Sequence, residues 1–463
     1  MLRKTIWTFL LCLLFAGTSF SQVTLEDFKR SERFGFYHLR PEVTGLVFKT
    51  KVEPHWFDEG GKFWYRNDVR DGGKEFIVID AEAGTRKPAF DHSKLAQSLS
   101  KQLKTEFKPG KLPFDEIEFV LDGNSIEFVL EKNKWRCSLP DCECKIISSV
   151  ESAQPQEKKA EQSEKKQTTI SPDGKWEALL NEYNLFLKSA GSEQMIQLTS
   201  DGNESSFYSS PVWSPDSKKL ACSRVENGDE EKMYYIEPVV EGQIRPKLHE
   251  YDYPLPGDKI DVRKPVLFDI ENERQLPITD SLFANPYFLT PVRWKKDSSA
   301  FTFKYVQRGW QVIRLIEIDA HTGQARSVVE DKTDTGALGV GDFEYLFEDS
   351  NEIIWASERD GWNHLYLFDR PTGKVNRQLT QGQWVVRNVE YVDEKNRQIY
   401  FAAMGREQGR DVYLTGYYRV DMNSGQIALL TPGNGEHSLQ LSPDKKFFID
   451  TCSRADLAPI TEL

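Results

Sequence analysis

The chain has 463 residues and a formal net charge of −12, and 12% of its residues are aromatic. A nucleic-acid-binding surface needs clustered basic residues, so the acidic balance excludes that class of partner and favours solubility. The aromatic content suits a β protein whose sheets pack face to face. Neither a Gly-rich phosphate-binding loop nor His and Cys residues at metal-ligand spacing occur, so we expect no cofactor and no metal.

The N-terminus has the pattern of a secretory signal peptide. Arg3 and Lys4 precede an apolar run over residues 6–16, and small residues follow it, which predicts a signal peptide over 1–21 that is cleaved before Gln22. A retained membrane anchor is the alternative, but the run is shorter than a membrane span requires. We therefore expect export to a periplasm or the extracellular space, without membrane attachment after cleavage.

The next segments are predicted to be an arm over 22–44 and the first sheets over 45–150. Within the latter, Asp71-Gly72-Gly73 and Asp122-Gly123-Asn124 each separate two apolar runs, which predicts two β-hairpins. Between the hairpins, Ser93 to Lys104 is expected to form a short helix capped by Ser93.

Five cysteines remain after the predicted signal peptide: Cys137, Cys142, Cys144, Cys222 and Cys452. Export permits disulfides, and an odd number leaves at least one free thiol. The first three are close enough in sequence for a local bridge. A zinc knuckle is the alternative, but no second ligand pair lies nearby, so we favour a bridge or free thiols.

Residues 151–169 are dominated by Glu, Lys, Gln and Ser. Such a composition cannot bury enough apolar surface to order a chain, so we predict a flexible charged loop. A solvated helix is the alternative, because Glu and Lys favour helices.

From residue 170 to the C-terminus the chain repeats an apolar strand, an acidic turn and a second apolar strand. Clear copies of the turn are Ser171-Pro172-Asp173, Ser214-Pro215-Asp216 and Ser442-Pro443-Asp444. The repeat length of roughly 40–50 residues is typical of a four-stranded propeller blade. We therefore predict an all-β propeller of seven to eight four-stranded blades, with the first blades in 45–150 and the remaining blades in 170–463.

Two units depart from this pattern. The unit over 212–271 is enlarged by a Pro-rich excursion over 251–261. In the last unit only 439–441 and 447–452 follow the strand pattern. We expect an incomplete final blade with an unpaired edge.

Several residues have side chains suited to catalysis or ligand stacking. His364 alternates with apolar neighbours, so we expect a packed and hydrogen-bonded histidine rather than a catalytic one. Trp310, Trp355, Trp362 and Trp384 recur about once per unit, and we interpret them as packing between blades rather than as a sugar-binding platform.

One block is more specific than the repeats. Ser357 to Leu367, which contains Asp360-Gly361-Trp362-Asn363-His364 and is followed by Gln378-Leu379-Thr380, closely resembles a blade of the dipeptidyl peptidase IV branch of the prolyl oligopeptidase serine peptidases. Pro88-Ala89-Phe90-Asp91 is similar to bacterial members. The likeness spans nearly all of the chain after the predicted signal peptide.

This resemblance implies a propeller that covers an α/β-hydrolase domain, with peptide cleaved between them. The hydrolase would carry its nucleophile in a Gly-x-Ser-x-Gly elbow, followed by Asp and His. The sequence contains no such elbow. We therefore expect no catalytic residues and no hydrolase domain in this chain, and no activity from it alone.

The resemblance also bears on substrate binding. Family members hold the substrate amine with paired glutamates on a short inserted helix, whereas here 199–204 runs almost directly into Pro211-Val212-Trp213. Glu230-Glu231 follows later, and we interpret it as a solvated turn. The Trp135-Arg136 step is similar to the family step whose arginine points at the substrate carbonyl, so Arg136 is the one candidate substrate-binding residue. An outward-facing strand arginine is the alternative.

Two functions follow as hypotheses. The first is the substrate-gating propeller of a secreted dipeptidyl-peptidase-IV-like serine peptidase, with a peptide substrate or a separate hydrolase domain as its partner. The second is a stand-alone TolB-like propeller that binds peptide, protein or glycan without catalysis. The sequence does not determine the oligomeric state.

Overall fold

A computed structural model describes Glu26 and residues 48–120, 123–149, 168–191, 195–229, 231–240, 242–336 and 342–463. The fold is an all-β propeller built from antiparallel sheets, which we call blades 1 to 8 in chain order. The chain divides into two compact units: unit 1 is Met1–Gln156 with Ser438–Leu463, and unit 2 is Glu157–His437.

Blades 1 to 4 have four strands each. One helix follows blade 1, and two extra strands lie inside blade 4. Blades 1 and 2 contain β1 (His55–Phe57), β2 (Lys62–Val69), β3 (Gly73–Asp80), β4 (Thr85–Pro88), helix α1 (His92–Leu103), β5 (Glu118–Val120), β6 (Ser125–Leu130), β7 (Asn133–Ser138) and β8 (Cys144–Ser149). Blades 3 and 4 contain β9 (Thr168–Ile170), β10 (Trp176–Asn181), β11 (Asn184–Ser189), β12 (Met195–Gln197), β13 (Ser206–Trp213), β14 (Lys219–Glu226), the inserted β15 (Lys232–Glu237) and β16 (Lys247–Asp252), β17 (Val262–Asp269) and β18 (Arg274–Leu276).

Blades 5 to 8 come next in the chain. Short 3-10 turns lie before them, at Asp58–Gly60, Arg70–Gly72 and Ser281–Phe283. Blades 5 and 6 contain β19 (Pro286–Leu289), β20 (Arg293–Trp294), β21 (Ala300–Gln307), β22 (Val312–Asp319), β23 (Ala325–Lys332), β24 (Glu344–Leu346), β25 (Glu352–Ser357), β26 (His364–Asp369) and β27 (Lys374–Gln378). Blades 7 and 8 contain β28 (Val385–Asp393), β29 (Gln398–Met404), β30 (Thr415–Asp421), β31 (Ile427–Leu429), β32 (Glu436–Leu441), β33 (Phe448–Arg454) and β34 (Leu457–Glu462).

The two predicted hairpins of unit 1 are confirmed, since β2 pairs with β3 and β5 pairs with β6. The helix is also present, but its predicted cap was wrong. Asp91, not Ser93, caps α1, because the Asp91 carboxylate accepts hydrogen bonds from the backbone N–H groups of Ser93 and Lys94. The helix packs Leu95 and Leu99, both fully buried, into the core of unit 1.

A disulfide joins the last two strands of blade 2. Cys137 and Cys144 face each other in the register of β7 and β8 and are bonded, so the local bridge considered from sequence is present. Cys142 and Cys222 are buried, Cys452 is partly exposed, and none of the three belongs to a disulfide. Burial raises the pKa of Cys142 and Cys222, which keeps both thiols protonated and unreactive.

The repeated Ser-Pro-Asp turn is closed by its own side chains. In the first copy the buried Ser171 hydroxyl donates to the Asp173 carboxylate at 2.7 Å and accepts from the Trp176 N–H at 2.9 Å. Ser214 and Ser442 make the same pair of bonds in blades 4 and 8. Each serine therefore fixes where the first strand of a blade ends and the second begins.

The same turns connect neighbouring blades within unit 2. The Asp173 N–H donates to the Ser217 hydroxyl in the next blade at 3.0 Å, and the Asp216 N–H donates to Ser298 in the blade after that, also at 3.0 Å. An indole reinforces the junction between blades 3 and 4, since Trp213 Nε1 donates to the Thr169 carbonyl at 3.1 Å. A turn of one blade thus completes its hydrogen bonding only against the next blade.

Leu-Thr pairs end several units, and the threonine of each pair forms a hydrogen bond to the third strand of its blade. In blade 3 the Thr199 hydroxyl accepts from the Leu185 N–H at 2.9 Å. Thr380 makes the same bond to Leu365, and Thr431 makes it to Tyr417. The threonine satisfies a backbone donor that would otherwise be unpaired where the fourth strand leaves the sheet.

Two predictions about unusual units need correction. The enlarged unit contains a complete hairpin, β15–β16, which joins β14 to β17 and was not predicted. Among the described residues blade 8 has three strands, and its third strand, β34, was not predicted.

Several predictions fall outside the described residues. These are the signal peptide over 1–21 and, apart from Glu26, the arm over 22–44. The charged loop is described only at Thr168 and Thr169, which belong to β9. Among the described residues no helix is long and apolar enough to cross a membrane.

Replacing Gly323 with alanine tests how closely blades 4 and 5 approach. Gly323 has φ of +70°, and an added Cβ would lie 1.9 Å from the Pro277 carbonyl oxygen. Gly174 is the control, because its φ is +72° but its Cβ would meet nothing within 4 Å. In urea unfolding we expect Gly174→Ala to lower stability by about 1 kcal/mol, and Gly323→Ala by about 4 kcal/mol or more. Equal losses of stability in the two variants would show that the Pro277 carbonyl group moves away from the new Cβ at little cost.

The acidic turns predict a pH dependence. Hydrogen bonds, first from the Ser171 hydroxyl and then from the Lys175 N–H, lower the pKa of Asp173 from 3.8 to about 2. Because the folded pKa is depressed, this stabilisation is present above pH 3.8 and is lost as the pH falls toward 2. In NMR titrations Ser171→Ala should return the Asp173 pKa toward 3.8, whereas Lys175→Ala should change it less, since the lysine side chain contributes least. An unchanged pKa in Ser171→Ala would contradict this account.

Candidate functional site

The most specific sequence block lies at the connection between β25 and β26. His364, the first residue of β26, is fully buried, and its ring nitrogens contact the Thr380 hydroxyl at 3.0 Å and the Gly382 carbonyl at 2.9 Å. The side chain of Asn363 donates to the Val386 carbonyl of blade 7 at 2.8 Å. The prediction of a packed histidine is confirmed, and the block fixes the loop 358–363 against the scaffold.

This loop borders a cavity of about 340 Å³ in unit 2. The cavity lies where the ends of β22 and β23 in blade 5 approach the end of β25 in blade 6. Residues of three kinds line it: acidic and basic groups, small hydroxylated residues, and a buried indole. They are Ile313, Asp331, Lys332, Thr333, Thr335, Gly336, Asp342, Trp355, Ala356, Ser357, Glu358, Arg359, Gly361 and Asn363.

Asp331 organises one wall of the cavity. Its carboxylate accepts hydrogen bonds of 2.6 Å from Trp355 Nε1, from the Ser357 hydroxyl and from Arg359 Nη2. Arg359 is held further, because its Nε donates to the Ser357 hydroxyl at 2.9 Å and its guanidinium stacks over the Tyr366 ring at 5.0 Å. Three donors converge on one carboxylate across two blades, so this wall is rigid.

A second ion pair lies behind the indole. The Lys304 ammonium contacts both carboxylate oxygens of Asp342 at 2.6 and 2.7 Å and lies 5.6 Å from the centre of the Trp355 ring. The Lys304 side chain is only 10% exposed. Its charge is thus compensated within the protein.

Glu358 differs from these paired groups. The residue is exposed, yet partial desolvation of its carboxyl group, and then the neighbouring charge of Asp331, raises the pKa of that group. Among the described residues no Lys, Arg or His forms an ion pair with it. The cavity therefore contains one carboxylate whose ionised form is disfavoured by its surroundings.

The prediction that all four tryptophans pack between blades is confirmed for two of them and was wrong for the other two. Trp355 and Trp384 are buried and pack between blades as predicted. Trp310 and Trp362 are 38% and 40% exposed. They occupy the turns between the second and third strands of blades 5 and 6, where strand alternation no longer directs side chains into the core.

Arg136 lies in unit 1, on β7 of blade 2, and is not among the residues that line the cavity. Its Nε donates to Glu127 Oε1 at 2.6 Å, and Lys134 also pairs with Glu127, at 2.6 Å. Burial opposes the ionisation of Glu127, but these two partners outweigh it and lower the pKa of its carboxyl group. The Arg136 side chain remains 36% exposed, so its other N–H groups are accessible to solvent.

The described residues between β12 and β13 contain no helix, in agreement with the missing insertion expected from sequence. Glu231 does not lie in a hairpin turn. It precedes β15, and its carbonyl accepts from the Tyr253 N–H at 3.0 Å at the base of the inserted hairpin. The placement of Glu230-Glu231 in a turn was therefore wrong for Glu231, while Glu230 is outside the described residues.

The cavity itself was not predicted. Asp331, its main organiser, stands in no recognisable motif, and only its position at the end of β23 brings it to Ser357 and Arg359. Glu358 and Arg359 lie within the family-like block, which was a usable signal. Sequence alone did not show that they faced a cavity.

Comparison with protein families assigns the propeller to a class of protein. Residues 124–459 match the model of the dipeptidyl peptidase IV N-terminal region. The match covers well over half of the chain and includes the block at 357–367. The chain belongs to this family.

Individual relatives are distant. The chain is 20% identical over 382 residues to a probable dipeptidyl-aminopeptidase B of Phaeosphaeria nodorum, covering 72% of this chain and 41% of that protein. It is 22% identical over 260 residues to the inactive dipeptidyl peptidase 10 of Mus musculus, covering 50% and 32% respectively. The chain thus spans less than half the length of these curated relatives.

A solved structure was also found to be similar. The crystal structure of Porphyromonas gingivalis dipeptidyl peptidase 4 has a TM-score of 0.49 and 16% sequence identity, and the alignment covers 91% of this chain and 59% of that one.

Replacing Asp331 with asparagine tests the organisation of the cavity wall. An amide cannot accept from all three donors and carries no charge to balance Arg359, so we expect a loss of about 2 kcal/mol in stability, together with a change in the fluorescence of Trp355. Asp334, which is exposed and follows β23, is the matched control, and Asp334→Asn should change stability by less than about 0.5 kcal/mol. Equal effects in both variants would contradict the role of Asp331.

Proposed function

We propose that this chain is the substrate-gating propeller of an exported dipeptidyl-peptidase-IV-like serine peptidase, and that it binds and positions peptides. The family match over 124–459 carries this proposal. The peptidase activity would be supplied by a hydrolase domain, and the propeller would control which peptides reach it.

The described surface is suited to peptide binding. The cavity between blades 5 and 6 presents carboxylates, hydroxyl groups and a guanidinium at one site, and peptides are recognised through such donors and acceptors. The basic residues and apolar run at the N-terminus support export.

Arg136 is proposed to donate a hydrogen bond to a peptide carbonyl. A guanidinium has five N–H donors in a planar arrangement. The pairing with Glu127 uses Nε and Nη2, so this contact orients the group and leaves further donors for a ligand.

A fluorescence anisotropy experiment with a labelled, unstructured octapeptide tests both the proposed peptide binding and the proposed role of Arg136. We expect saturable binding to the wild-type chain that an unlabelled peptide competes away. Arg136→Ala should weaken binding about tenfold, the effect of losing one charge-assisted hydrogen bond.

Lys134→Ala is the matched control, because Lys134 also pairs with Glu127 from the same strand. It should change affinity by less than about twofold if only Arg136 touches the peptide. Equal weakening in the two variants would reduce Arg136 to a structural role. Absence of saturable binding to any peptide would overturn the proposed function.

A further inference from the structure

His92 joins blade 1 of the propeller to the start of helix α1. The ladder between β3 and β4 ends with the pair Ile77 and Pro88, after which the Ala89 N–H still donates to the Phe76 carbonyl at 2.9 Å. The Phe76 N–H, which also lies beyond the last strand pair, donates to a side chain, Nε2 of His92, at 3.1 Å. The imidazole therefore extends the hydrogen bonding of the sheet past the end of β4.

Both ring nitrogens of His92 have backbone partners that fix the position of the ring proton. A backbone N–H group can only donate, so Nε2 must accept from Phe76. A carbonyl oxygen can only accept, so Nδ1, which lies 3.1 Å from the Phe90 carbonyl oxygen, must carry the proton. The arrangement is therefore compatible only with the neutral ring. Protonation would place a second N–H group, that of Nε2, opposite the Phe76 N–H.

His364 shows that a packed histidine need not be restricted in this way. Its Nε2 contacts the Gly382 carbonyl oxygen at 2.9 Å, and its Nδ1 contacts the Thr380 hydroxyl at 3.0 Å. A hydroxyl group can either donate or accept, so Thr380 could turn its proton away and accept from a charged ring. The Phe76 N–H opposite His92 has no such freedom.

Loss of the bond to His92 would leave a buried donor without its partner. Phe76 has no exposed surface, and a buried N–H group without an acceptor is unfavourable. The His92 ring also packs against the Phe90 ring, with the two centroids 4.5 Å apart. Because His92 is the first residue of α1, protonation would act where the helix begins.

The charged and titratable groups around the ring do not compensate for protonation. Glu75 on β3 and Asp91 before α1 favour the protonated form, but burial outweighs both and lowers the pKa of His92. Lys94 in the first turn of α1 is a cation and gives a charged ring no support. The Cys142 thiol of blade 2 contacts the Asp91 carbonyl at 3.8 Å and is neutral.

The His92 ring is nevertheless within reach of protons. It is half-buried and lines a cavity of about 690 Å³ in unit 1. The charged residues of this lining are Lys62 of β2, Asp80 of β3, Lys87 of β4 and Asp91. Two lysines and two aspartates balance each other, so the lining adds no net charge that would retain a proton on the ring.

We propose that His92 is a pH-sensitive latch between blade 1 and α1, closed when its ring is neutral and released when the ring is protonated. Release would break the contact with Phe76 and free residues 89–91, which lead into the helix, while the buried Leu95 and Leu99 stay in the core. The latch is fully closed above the ordinary histidine pKa of 6.5 and weakens as the pH falls below it, because the released ring binds a proton more readily than the folded one.

Hydrogen–deuterium exchange of the full chain between about pH 7 and pH 5 tests the latch. Rates are corrected for the intrinsic pH dependence of exchange. We expect the protection of the Phe76 amide to fall about tenfold for each pH unit below about 6.5, until the folded ring itself titrates. Strand β22 in blade 5 is the internal reference and should keep its protection. Protection of Phe76 that does not change with pH would overturn the latch.

His92→Gln removes the titrating group, but its side-chain oxygen can still accept from the Phe76 N–H. In this variant the protection of Phe76 should be independent of pH over the same range. His321→Gln is the matched control, because His321 is exposed and follows β22, and it should behave like the wild-type chain. A pH dependence that persists in His92→Gln would assign the effect to another group and overturn the role of His92.

A measurement on the wild-type chain tests the tautomer and needs no folded variant. The ¹⁵N NMR shifts of the imidazole nitrogens distinguish a proton on Nδ1 from one on Nε2. Above about pH 7 we expect His92 to carry its proton on Nδ1. A proton on Nε2, or a charged ring at this pH, would contradict the hydrogen bonds to Phe76 and Phe90 and overturn the proposal.

Discussion

Backbone hydrogen bonds donated from one blade to a serine hydroxyl of the next hold blades 3, 4 and 5 of unit 2 together. Asp173 and Asp216 each offer a turn N–H that is satisfied only when the following blade presents Ser217 or Ser298. A single blade is therefore incompletely hydrogen-bonded by itself, and neighbouring blades stabilise each other through polar contacts as well as through buried apolar side chains. In blades 3 and 4 the acidic turn therefore makes a contact between blades.

The repeated features were predictable because they depend on local sequence. A Ser-Pro-Asp turn makes its hydrogen bonds within a few residues, and the threonine of a Leu-Thr pair bonds to the third strand of its own blade, so the blades, the packed His364 and the lack of a helix before β13 could be inferred. The cap of α1 was misassigned because Asp91 and Ser93 are both good capping residues, and only the backbone conformation decides between them.

The candidate site could not be predicted in the same way because its parts are distant in sequence. Asp331 and Arg359 belong to different blades and meet only when β23 and β25 end side by side. The exposure of Trp310 and Trp362 has a similar origin, since a turn between strands does not follow the alternation that buries Trp355. The surroundings of Arg136 are a further example: sequence singled out the residue, but not the buried Glu127 with which it pairs.

The insertion in blade 4 has an evolutionary consequence. The hairpin β15–β16 enters between β14 and β17, yet these two strands pair without a break from Lys219 with Asp269 to Glu226 with Val262. The connection between the second and third strands of a blade therefore accepts new sequence at no expense to the sheet. Glu358 lies on the corresponding connection of blade 6. Related chains can thus differ at these connections while their blades keep the same strand pairing.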